Sequence, residues 1–161
     1  MATVVVLGAL DTKGEEVRFL TRQIEDRGHR TLVVDVGVLG KPAFAPFITR
    51  DEVATAAEAS LATLITDADR GRAVTAMSRG ATVVVQRLLD RGQLDAIIAM
   101  GGGAGTSIGT AAMRALPLGI PKVMVSTLAS GDVRGFVGVK DITMVPTIVD
   151  TSVAVLGERD I

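Results

Sequence analysis

The stretch Met100-Gly101-Gly102-Gly103-Ala104-Gly105-Thr106-Ser107 decides how the rest of the chain is read. Before it runs Leu94-Asp95-Ala96-Ile97-Ile98-Ala99, a short apolar run expected to form a strand buried on both faces. After it, Ile108 to Arg114 is rich in Ala and Met and is expected to be a helix entered through Thr106 or Ser107. A strand that empties into glycines and then a helix start leaves backbone N–H groups beside the positive end of the helix, a ready site for phosphate. Glycine also lets a ligand approach the backbone where a Cβ would stand. Gly101, Gly102, Gly103, Gly105, Thr106 and Ser107 are therefore candidate anion-binding residues. The competing reading is a tight strand-to-helix turn with no ligand.

Working outward, Thr3 to Gly8 is β-branched and apolar throughout, the pattern of a central parallel strand. A helix is expected from about Glu15, with Val17, Leu20 and Ile24 on one stripe and Gly28 at its C-terminal cap. Thr31 to Val36 reads as the next strand. Gly40, Pro42 and Pro46 exclude regular structure from residues 37–48, where Phe44 and Phe47 are expected either to pack on the core or to wall a pocket. Thr49 and Glu52 have the spacing of a capping box, and Val53, Ala57, Leu61 and Leu64 keep a helical period after it. Asp67 and Asp69 suit the start of a longer helix carrying Ala73, Met77, Val84 and Leu88 on one face; Gly80 interrupts it where something packs closely, and Gly92 ends it. Lys122 to Ser126 and Ile142 to Val145 are the fourth and fifth strands, and the tail from Thr147, with Asp150, Thr151 and Ser152, is expected to begin a short helix.

Strands alternating with helices imply one α/β domain over residues 1–161, a doubly wound, mostly parallel five-stranded sheet with helices on both faces in three layers. Ligands of such sheets bind beyond the carboxyl ends of the strands, where strand order reverses. Three loops follow strands and so must open on one edge: 8–14, 101–107 and 126–132. From the first come Gly8, Leu10, Asp11, Thr12 and Lys13; from the third Ser126, Thr127, Ser130 and Gly131. Lys13 can neutralise a phosphate or sit solvated in a first helical turn. Asp11 can hold magnesium or a ribose, or merely stabilise its turn. Ser126, Thr127 and Ser130 can meet phosphate oxygens. Asp35 lies where a ribose-binding acid could sit, yet Gly103 and Gly105 are followed by Ile108 where a dinucleotide fingerprint needs a third glycine. Nor does Gly8 to Lys13 follow the Walker A order.

Composition narrows the function further. With net charge −1 there is no basic field for nucleic acid, and the absence of Trp and Tyr leaves little for stacking on bases. No cysteine is present, which removes disulfides and thiolate chemistry, and a single histidine, His29, argues against a zinc site. His29 is expected at the surface near the opposite edge of the sheet. Asp132 and Asp141 read as loop and cap residues rather than an acid/base pair. No apolar run approaches a membrane span, and Met1 to Thr3 leads directly into a strand without a basic leader, so a cytoplasmic location is expected. The 48% hydrophobic fraction, with the apolar loop at 38–48, suggests a homodimer.

Four ordered segments, Gly8 to Lys13, Gly101 to Ser107, Ser126 to Gly131 and Val137 to Ile142, together resemble the N-terminal domain of the ATP-binding family that includes the tomato mosaic virus resistance protein and many uncharacterised bacterial proteins. The resemblance covers about residues 3–150. It implies a Rossmann-like domain that binds ATP, with or without magnesium, and tends to dimerise. Members continue past Asp150 into a further helix and a second, larger domain; Thr151 to Ile161 departs from that continuation, so a protein partner or a separate second domain is an expected companion. The leading expectation is thus an ATP-binding domain. Its rivals are an enzyme acting on a phosphorylated or carboxylated small molecule in the same cleft, and a purely structural partner-binding domain.

Overall fold

A computed structural model of the chain describes residues 1–147. Its five strands are β1 (Thr3–Gly8), β2 (Arg30–Asp35), β3 (Ala96–Gly101), β4 (Lys122–Ser126) and β5 (Ile142–Pro146). They pair in parallel throughout, in the order β2-β1-β3-β4-β5. The helices between them are α1 (Gly14–Glu25), α2 (Arg50–Ala56), α3 (Leu61–Asp67), α4 (Arg70–Asp90), α5 (Gly103–Ala115) and the single-turn α6 (Arg134–Val137). The doubly wound, three-layer α/β architecture expected from the alternation of elements is the one observed.

The alternation of side chains along β1 divides the core. Val6 and Leu10 join Val17 of α1 and Val33 of β2 on one face of the sheet. Val5 and Leu7 join α2, α3, α4 and α5 on the other, through Val53, Leu61, Met77, Val84, Ile108 and Met113. Each such side chain, removed from water, stabilises the fold by about 1.5–3 kcal/mol. Every one of these β1 residues is inaccessible to solvent because β1 is flanked by strands on both edges and by helices on both faces.

Three boundaries differ from the sequence reading. The apolar period from Val53 to Leu64 does not form one helix. Glu58 adopts φ +58, and the Ser60 hydroxyl accepts from Thr63 N (3.3 Å) to start α3 afresh. The strand before the glycines runs two residues later than expected, because Asp95 caps it from outside, its Oδ2 accepting from Thr3 N (2.7 Å). The helix after it begins at Gly103, not near Ile108. The glycines are therefore not a loop leading to a helix; they are its first turn. A Cβ on Gly101 would stand 2.7 Å from the Gly105 Cα, so the strand can bend straight into α5 only with glycine there. The capping box at Thr49 and Glu52 is present as read, and so is the Asp69 cap of α4, with Oδ1 accepting from Arg72 N (3.0 Å). The helix expected at Asp150 to Ser152 lies outside the described residues.

Candidate functional site

Strand order reverses between β1 and β3: α1 carries the chain from β1 to one side, and α5 carries it from β3 to the other. At that point, beyond the carboxyl ends of both strands, a cavity of about 660 Å³ opens. That volume falls within the range of small-molecule sites. One wall is the glycine turn, Gly101 to Gly105; a second is the β1 loop, with Asp11, Thr12 and Lys13; a third is apolar, built from Val38 and Leu39 after β2, Ile65 of α3, and Val74 and Met77 of α4.

The glycine turn presents backbone rather than side chains. Helix α5 has no side-chain hydrogen bond capping its start, whereas α2, α3 and α4 are capped by Thr49, Ser60 and Asp69. The first N–H groups of a helix need acceptors, and here the cavity is where an acceptor would come from. A Cβ on Gly103 would meet nothing nearer than the Arg70 guanidinium at 3.4 Å, while one on Gly105 would stand 3.3 Å from Met100 O. Gly105 does not adopt positive φ; among described glycines only Gly28, Gly92, Gly119 and Gly138 do.

Thr106 and Ser107 do not line the cavity. Thr106 is fully buried and shares a hydrogen bond with Ser126 (Oγ1···Oγ 2.6 Å), tying the first turn of α5 to the end of β4. The Ser107 hydroxyl donates to Gly103 O (3.0 Å). Ser126 is spent in the same way, since its Oγ also accepts from Leu128 N (3.0 Å). Thr127 stays near the turn, its Oγ1 3.6 Å from where a Gly102 Cβ would be. Ser130 and Gly131 are exposed, away from the cavity lining. The third loop thus opens on the expected edge but contributes braces more than lining.

In the first loop, Gly8 makes room for α1, since a Cβ there would be 2.7 Å from Val17 Cγ2, and Leu10 is a core residue. Helix α1, like α5, begins without a capping side chain, at Lys13. The Lys13 ammonium lies 3.7 Å from Glu16 Oε1. Asp11 is almost wholly enclosed. Its Oδ2 accepts from Leu39 N (2.7 Å) and Gly40 N (3.0 Å), with the Arg50 guanidinium 3.8 Å away, while its buried Oδ1 accepts nothing. Asp35 sits at the end of β2, 1% exposed, its Oδ1 accepting from Leu10 N (3.0 Å) and Gly37 N (2.9 Å). Burial pushes its carboxyl up from the ordinary range and the nearby Asp11 charge adds to this, against the two N–H donors. Asp35 is not in the cavity lining, and its bonds hold the β1 loop against residues 37–40, which Asp11 secures from the other side.

The apolar wall and Arg70 were not legible as site residues. Phe44 and Phe47 are both absent from the lining: Phe44 packs beneath α1, with the Arg18 guanidinium 5.1 Å from its ring, and Phe47 is half exposed. Asp132 and Asp141 are structural, paired with Arg134 and Lys122, and His29 is exposed at the opposite sheet edge, its Nδ1 accepting from Ala2 N (3.3 Å). Among the described residues there is no group of three His, Asp or Glu side chains suited to a metal, and no helix long and apolar enough to cross a membrane.

The same chain has relatives. The family model described as the uncharacterised protein family (UPF0261) N-terminal domain matches residues 2–155. A UPF0261 protein of Clostridium tetani is 50% identical over 149 residues, covering 92% of this chain and 37% of the relative. One of Rhizobium meliloti is 44% identical over 150 residues, covering 93% and 37%. The ToMV resistance protein Tm-1 of tomato (Solanum lycopersicum) is 33% identical over 162 residues, covering 91% of this chain and 22% of that protein. The chain therefore spans well under half the length of the curated relatives it matches.

Proposed function

Because the chain belongs to the UPF0261 family, matching its N-terminal domain, we propose that it is a nucleotide-binding domain whose ligand is ATP. One observation carries this reading: of the described helices longer than a single turn, the two that lack a capping side chain, α1 and α5, both begin at the same cavity, at the reversal of strand order. Uncapped N–H groups and two converging positive helix ends favour phosphate. The apolar wall of Val38, Ile65, Val74 and Met77 suits an uncharged ring beside it. The choice of ATP among nucleotides rests on the family resemblance that the four ordered motifs carry. The residues fit a nucleotide in this respect: Gly103 leaves open the space a side chain would fill. Magnesium would come with the phosphates, and of the acids in the lining Asp11 is the one with a buried oxygen that lacks a hydrogen-bond partner; a magnesium ion commonly has one or two carboxylates beside phosphates and waters.

Titration calorimetry with ATP, ADP, NAD and adenosine tests the reading. ATP is expected to bind, Gly103→Val to abolish binding while the domain stays folded, and Lys13→Ala to weaken it by about 1–3 kcal/mol. Gly103→Val is a cleaner probe than Gly105→Val, whose side chain would press on the Met100 carbonyl. No heat at millimolar ATP would sink the assignment. A cytoplasmic homodimer is part of the same reading, with the exposed Leu39 and Phe47 of the 38–48 loop as its proposed contact; light scattering at micromolar concentration reads its mass.

A further inference from the structure

Arg70 opens α4, the place in a helix where a cation is least welcome, because its charge adds to the positive end of the dipole. Its guanidinium also lies against the start of α5, Nη2 standing 3.4 Å from the position of a Gly103 Cβ, so a second positive helix end faces it. The carboxylates nearby in sequence are committed elsewhere. Asp69 Oδ1 accepts from Arg72 N (3.0 Å), and Asp67 Oδ2 pairs with Arg72 Nη1 (2.6 Å). The Arg70 side chain, exposed on the cavity wall, makes no hydrogen bond or ion pair among the described residues. Local rules are broken here without any compensating contact inside the protein, and such breaks concentrate at binding sites. An anion over Gly101 to Gly105 would relieve all of it at once.

We propose that Arg70 is a specificity residue that grips the phosphate chain beyond its first phosphate, making the site selective for nucleoside polyphosphates over monophosphates. This rests on the nucleotide-binding reading. The division of labour follows from chemistry. The glycine-turn N–H groups are fixed donors converging on one point, enough for a single phosphate. Each further phosphate adds charge that fixed amides do not reach, and a planar guanidinium fork on a flexible stem takes two phosphate oxygens at once. Glycine at 103 then leaves room for the close approach of phosphate beside the guanidinium.

The experiment is calorimetry of the whole 161-residue chain and its Arg70→Gln variant with AMP, ADP, ATP and tripolyphosphate, melting temperatures confirming that both are folded. The parent is expected to bind ATP more tightly than AMP. In Arg70→Gln, ATP and tripolyphosphate should weaken about 10- to 100-fold while AMP is unchanged. If the parent binds nucleotides but Arg70→Gln weakens AMP and ATP equally, or neither, the role of Arg70 is overturned and the nucleotide site stands. If the parent binds no nucleotide, both fall.

Discussion

Asp35 and Asp141 are carboxylates displaced in opposite directions, and the physical causes are separable. Asp141 lies at the surface, where hydrogen bonds from the buried Lys122 ammonium (2.7 Å) and from Gly119 N (2.8 Å) hold its carboxyl down to about 2, from an ordinary 3.8. Its folded-state value lies below the unfolded one, so the stability it contributes is present above pH 3.8 and is lost as pH falls toward 2. Asp141→Asn is expected to flatten the stability–pH curve in that window, measured by urea denaturation at stepped pH. Asp35 is raised, chiefly by burial, so its own ionisation opposes folding as pH rises; its value lies in the acceptor it provides. Asp35→Ala would leave Leu10 N and Gly37 N without their acceptor and is expected to cost about 2–4 kcal/mol, read as a shift in denaturation midpoint at unchanged slope.

Among the elements, α4 shows why a glycine that looks like a flaw belongs where it is. A Cβ on Gly80 would stand 2.0 Å from Val53 O, so α4 and α2 touch backbone to side-chain-free backbone. Gly80→Ala gains about 1 kcal/mol of helix propensity, yet the two helices must part to admit the methyl group, and a net loss of about 1–3 kcal/mol is expected. Gly71→Ala, near the exposed start of the same helix, has no such neighbour and is expected to stabilise by up to about 1 kcal/mol. Chemical denaturation of the pair separates propensity from packing. The sequence announced the close approach at Gly80 through the penalty of a mid-helix glycine. It did not announce that Gly103 is helical, because propensity reads a glycine run as turn, and only the contact of Gly101 with Gly105 makes a helix start of it. Glu58 at positive φ was equally invisible: the apolar period runs on across it, and periodicity records faces, not breaks.

For the molecule as a whole, period and alternation were enough for the layers and the edge of the sheet on which the loops meet. The apolar β1 run and the amphipathic stripe of α1 each point to one partner surface, and those surfaces are the ones found. What lay beyond reach was the third wall of the cavity, since Val38, Ile65 and Met77 are ordinary core-like residues until the long crossover from β2 to β3 folds them over the glycine turn. That crossover has a temporal consequence. The central seam of the sheet joins segments 92 residues apart, as in the bond from Thr3 N to Asp95 Oδ2, so no local event can form it early. Pairing of β1 with β2 closes a far shorter loop, and the search for β3 comes at greater entropic cost. Stopped-flow refolding should register this: Val5→Ala, in the seam, is expected to slow refolding, whereas Leu61→Ala in α3 should mainly hasten unfolding. The cavity built between β1 and β3 is then among the last features of the chain to exist, and a newly made molecule lacks the pocket we propose for a nucleotide until that seam has closed.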